Sequence, residues 1–75
     1  MSSKIPSTTA NKLIKFFLKQ GFVKNRQAGS HLTLKHSDGK FVTIPVHTGK
    51  DIGKGLLKKI IKDGGYSIDE FNRLR

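Results

Sequence analysis

The apolar residues of this chain change their spacing twice, and that pattern limits the fold more than any other feature. Ala10, Leu13, Ile14 and Phe17 recur at helical spacing, with Lys12, Lys15 and Lys19 on the opposite side. Pro6-Ser7-Thr8-Thr9 offers capping hydroxyls before this helix, and Gly21 ends it. From Phe22 the period falls to two. Phe22 to Arg26 reads as a short strand, Gln27-Ala28-Gly29 as a turn, and His31–Lys35 and Phe41–Val46 as half-buried strands. The helical period then returns. After a turn at His47-Thr48-Gly49, Leu56, Leu57, Ile60 and Ile61 form an apolar stripe that Gly64-Gly65 stops, and Ser67-Ile68-Asp69-Glu70 is a capping box for a short helix through Leu74. One helix, three strands and a second helix make an α+β sandwich of two layers, α-β-β-β-α, with a short C-terminal helix. Residues 1–75 read as one domain, without linker or repeat.

The hairpin register follows from the same pattern. A two-residue Asp38-Gly39 loop would set Leu34 opposite Thr43 and mix core with surface on each face. A three-residue loop with Gly39 in the left-handed conformation pairs Leu34 with Val42 and Leu32 with Ile44. One face is then apolar, and His31, Thr33 and Lys35 go to the other face beside Phe41, Thr43 and Pro45.

So short a chain builds a small core and no deep pocket, which leaves any site on the open surface. It contains no cysteine, so it must close on packing alone, and thiolate metal sites are excluded. Met1 to Pro6 holds no apolar targeting segment, and no stretch reads as a membrane span, so a cytoplasmic location is expected. Charge points to partners. Fifteen Lys and Arg face five Asp and Glu, a formal net charge of +10, and no acid occurs from Met1 to Ser37. Such a body attracts polyanions by counterion release; an acidic protein partner is compatible with the same charge.

Several chemistries can be set aside. Gly49-Lys50-Asp51-Ile52-Gly53-Lys54-Gly55 has three residues between its first two glycines where a phosphate-binding loop has four, and Gly55 stands where a magnesium-binding hydroxyl is required. His31, His36 and His47 lack a carboxylate cluster, so no metal site and no small-molecule cofactor are expected. What remains is Gly29-Ser30-His31, a histidine leading a strand on the face away from the core. RNA carries its own nucleophile in the 2′-hydroxyl and needs only a base and an acid, and imidazole can serve as either near neutral pH. Lys24, Arg26 and Lys35 are candidates to stabilise charge on the phosphate. His47 falls diagonal to His31 on the same face and is a candidate second imidazole, or simply a strand end. Ser30, Lys50 and Lys54 are further candidate RNA contacts.

These elements, in this order, resemble the HicA family of toxin–antitoxin mRNA interferases. The likeness runs from the Ser/Thr-capped helix ending at Gly21-Phe22, through Arg26-Gln27-Ala28-Gly29-Ser30-His31 and the Asp38-Gly39 hairpin, to Ile44-Pro45-Val46-His47, Gly49-Lys50, Gly55-Leu56-Leu57 and the Ser67 to Phe71 cap. The resemblance implies a fold like the double-stranded-RNA-binding domain and metal-independent, ribosome-independent cleavage of mRNA. It also implies a catalytic histidine at His31 and neutralisation by a HicB-type antitoxin that covers the active surface. The alternative is a non-catalytic RNA-binding module of the same fold, reading duplex shape through Lys50, Lys54 and Lys58. A DNA-binding role is disfavoured, because no helix-turn-helix spacing is present and glycines loosen the start of the second long helix.

Overall fold

The computed structural model describes residues 5–47 and 50–75. The leader reading at Met1 to Lys4, and Thr48 and Gly49 of the turn and of the glycine-rich segment, lie outside the described residues.

The order is α1 (Ala10–Lys19), β1 (Val23–Ala28), β2 (His31–Lys35), β3 (Phe41–Pro45), α2 (Lys54–Asp63) and α3 (Ile68–Leu74), with the strands in one antiparallel sheet ordered β1-β2-β3. This is the expected α+β arrangement. Both long helices end in the same way, by a Schellman motif. At α1, the Phe22 N–H donates to the Phe17 carbonyl and the Gly21 N–H to that of Leu18; at α2, Tyr66 and Gly65 do the same to Ile61 and Lys62. The apolar contact typical of the motif is present at α1, where the Phe17 and Phe22 rings meet edge-on at 4.9 Å.

The core lies between the helices and one face of the sheet. Leu32, Leu34, Val42 and Ile44 point into it from the strands, met by Leu13, Ile14 and Phe17 from α1 and Leu57, Ile60 and Ile61 from α2. Phe16, outside the stripe read from the sequence, is also buried: its ring packs edge-on against Phe71 of α3 at 4.8 Å. The α3 helix is therefore docked through buried Phe71 with Ile68 packed partly against the core, and its start is fixed by a complete capping box. The Glu70 N–H donates to Ser67 Oγ at 3.1 Å and the Ser67 N–H to Glu70 Oε1 at 2.9 Å. Ser67→Ala is expected to lower unfolding free energy by about 0.5–2 kcal/mol, measured by urea titration. An unchanged midpoint would mean that Phe71 holds α3 without help from its cap.

The β2–β3 hairpin has the three-residue loop and the pairing expected, Leu34 with Val42 and Leu32 with Ile44, with Gly39 at φ 98°. The first strand differs from expectation. Gln27 and Ala28 belong to β1, paired with Leu32 and His31, so the turn is the two residues Gly29-Ser30. Gly29, at φ 59°, has the positive φ that a II′-type loop requires at its first position. The ladder also slips once between Lys24 and Arg26, a bulge that leaves Asn25 without a cross-strand partner of its own. All six residues of β1 are exposed.

Candidate nucleic-acid interface on the open sheet face

Because α1 and α2 cover only one side of the sheet, the outward residues of the strands form a bare face. Cross-strand pairing sorts them into three rows: Ala28, His31 and Pro45; Arg26, Thr33 and Thr43; Val23, Lys35 and Phe41. Paired residues share a face, and Arg26, two residues from Ala28 on the unbroken part of the ladder, lies on the His31 face. Counted from Ala28 without the bulge, position 24 would take the same outward parity. The bulge pairs Lys24 with inward-facing Leu34 instead, and Lys24 is exposed like the rest of β1. The sheet thus separates two cations that look equivalent in the sequence.

His31 is exposed and opens β2 directly after the Gly29-Ser30 turn. The turn itself is held to β3, since the Val46 N–H donates to the Ser30 carbonyl at 2.6 Å. In the middle row the Thr33 and Thr43 hydroxyls share a hydrogen bond at 3.4 Å. The described residues of the three rows include Arg26, Lys35 and one imidazole, and no carboxylate. A phosphate here meets no fixed negative charge.

The remaining candidates lie around this face. His47 follows β3 by two residues and is exposed, and its carbonyl accepts from the Lys50 N–H at 3.3 Å. Ser30 is half-buried in its turn. Lys54 is the first residue of α2 and Lys50 precedes it in the loop, both exposed.

His36 does different work at the far end of the hairpin. Its ring packs on Phe22 with centroids 5.0 Å apart, and its Nδ1 accepts from the Asp38 N–H at 3.1 Å. The Lys40 backbone N–H, 2.9 Å from Asp38 Oδ1, holds that exposed carboxyl below its ordinary pKa, helped by the Lys40 ammonium. Asp38 is thus committed to its own β2–β3 loop. Among the described residues, no group of three His, Asp or Glu side chains is placed to hold a metal ion, and no helix is long and apolar enough to cross a membrane.

Phe41, like Val23 in the same row, is an exposed apolar residue of this face to which the sequence reading gave no role. Its position was readable from strand parity; its exposure, 60%, was not.

Fold and face together define a small basic α+β protein whose open sheet side carries cations and an imidazole without a counter-charge. A family model described as the HicA toxin of bacterial toxin–antitoxin matches residues 10–66, from the start of α1 to the residue before the α3 cap. The chain belongs to this family; it is the toxin of a toxin–antitoxin pair, and an antitoxin is its partner. A comparison with individually curated proteins gave no match.

Proposed function

We propose that this toxin is an endoribonuclease that cleaves mRNA in the cytoplasm on the open sheet face, with His31 exchanging the proton. The observation that carries the reading is the exposed imidazole at the head of β2, on a face bearing Arg26 and Lys35 and no carboxylate. In the reaction, a base takes the proton of the ribose 2′-hydroxyl, whose oxygen attacks the adjacent phosphorus. The bond to the 5′-oxygen breaks as an acid protonates it. His31 supplies one of these two roles, and His47 is the candidate for the other. Arg26 and Lys35 oppose the charge that grows on the phosphate oxygens, a stabilisation that increases as the transition state forms. Ser30, Lys24, Lys50 and Lys54 hold the flanking strand.

The same exposure makes the site easy to silence. A HicB-type antitoxin with an acidic surface would neutralise the toxin by covering the His31 face, replacing RNA phosphates with its own carboxylates. Footprinting that placed the partner on the α1 side instead would count against this.

End groups test the chemistry. Purified protein incubated with a purified transcript, with a chelator present, is expected to leave 2′,3′-cyclic phosphate and 5′-hydroxyl ends. A 3′-hydroxyl product would exclude attack by the ribose oxygen and remove the role given to His31.

A further inference from the structure

The row at the far end of the open face from His31 contains Phe41, 60% exposed, and Val23, 61% exposed, on either side of Lys35. Phe41 lies on a strand whose neighbours Val42 and Ile44 are 1% and 0% exposed, so its ring stands outside the core and is free to meet a ligand. We propose that Phe41 is a stacking platform for one unpaired base of the bound RNA, with Lys35 holding the phosphate next to that base. This rests on the ribonuclease reading only in taking single-stranded RNA as the ligand.

Three features favour a base over a protein partner. The two apolar side chains are separated by a lysine on the middle strand, whereas protein docking patches are contiguous apolar areas of a few hundred Å². A base needs only one ring face, and a cation beside that ring serves the sugar–phosphate chain at the same time. No carboxylate among the described residues of the face opposes the strand. The geometry also sets a spacing. From Lys35 to His31 is four residues along β2, or ~14 Å, against ~3.4 Å per nucleotide in a stacked strand. The stacked base is therefore a few nucleotides from the bond that His31 faces, about four if the strand is stacked and fewer if it is extended.

Stacking makes predictions that a general apolar contact does not. In a His31→Ala background, which keeps the probe intact, a short single-stranded oligoribonucleotide of mixed sequence is titrated by fluorescence anisotropy. Phe41→Ala should weaken binding by about 5- to 150-fold, and Phe41→Leu by nearly as much, while Phe41→Trp should bind at least as well as the unaltered ring. Because the side chain lies outside the core, all three variants should melt as the parent does. Removing a single base from the probe, scanned position by position, should at one position cost the same factor, with no further loss on adding Phe41→Ala. Equal RNA binding with and without the ring overturns the stacking assignment and leaves the ribonuclease reading standing; the same result joined to a weakened antitoxin complex reassigns the patch to the protein partner. Retention of RNA by neither form overturns both.

Discussion

His31→Ala is expected to reduce cleavage of a purified transcript by about 100- to 10,000-fold, the range that one positioned proton-transfer group supplies. Retention of the same RNA on the protein should change little, because Arg26, Lys35 and the basic body remain. The melting temperature should hold as well, since the imidazole is exposed and no hydrogen bond or ring contact of the described structure depends on it. Measured together, the three readouts separate the readings. Loss of cleavage with binding and stability intact places proton transfer at position 31. Cleavage that persists within a fewfold of the parent removes His31 from the chemistry, and an unaltered protein that binds RNA without cutting it is the non-catalytic module.

The second large effect concerns the fold. Phe17 is fully buried and meets Phe16 and Phe22 edge-on, at 5.2 and 4.9 Å between centroids. Its replacement by alanine is expected to cost about 3–5 kcal/mol, against a total of about 4–11 kcal/mol for a chain of this size. At about 4–8 °C per kcal/mol, the melting midpoint should fall by at least ~12 °C. Gly64 offers an internal control. A Cβ placed there would lie 2.5 Å from Phe17 Cε1 and 3.3 Å from Val42 Cγ1, so Gly64→Ala alone should cost about 1–3 kcal/mol through overpacking. In the Phe17→Ala background the ring is gone and most of that cost should vanish. Strict additivity of the two losses would show that the end of α2 does not press on Phe17.

What the sequence made readable depended on whether a residue's role was set by its neighbours along the chain. The β2–β3 register was readable because Leu32, Leu34, Val42 and Ile44 alternate cleanly and Gly39 fixes the loop length. Outward placement of His31 followed from that alternation. The first strand gave no such signal. Every residue of β1 is exposed, so Lys24, Asn25, Arg26 and Gln27 carry no apolar period, and Gln27-Ala28-Gly29 reads as a turn. The bulge is invisible for a different reason: it exists only in the pairing with β2, and it takes Lys24 off the face that Arg26 shares with His31. Phe16 lay off the helical stripe because the stripe records packing on the sheet, while Phe16 answers to Phe71, far along the chain. Family membership was legible from ordered motifs, each weak alone, and the matched region spans most of them.

Having helices on only one side of the sheet has a consequence for descent. Residues that hold this molecule together and residues left bare on the open face are drawn from opposite parities of the same strands, so a substitution in one set scarcely touches the other. On the function proposed above, a change at the bare positions can trade one RNA preference or one cognate inhibitor for another and leave the packing of Leu32, Leu34, Val42 and Ile44 beneath them intact. A toxin built this way can drift in step with its antitoxin without ever passing through an unfolded intermediate.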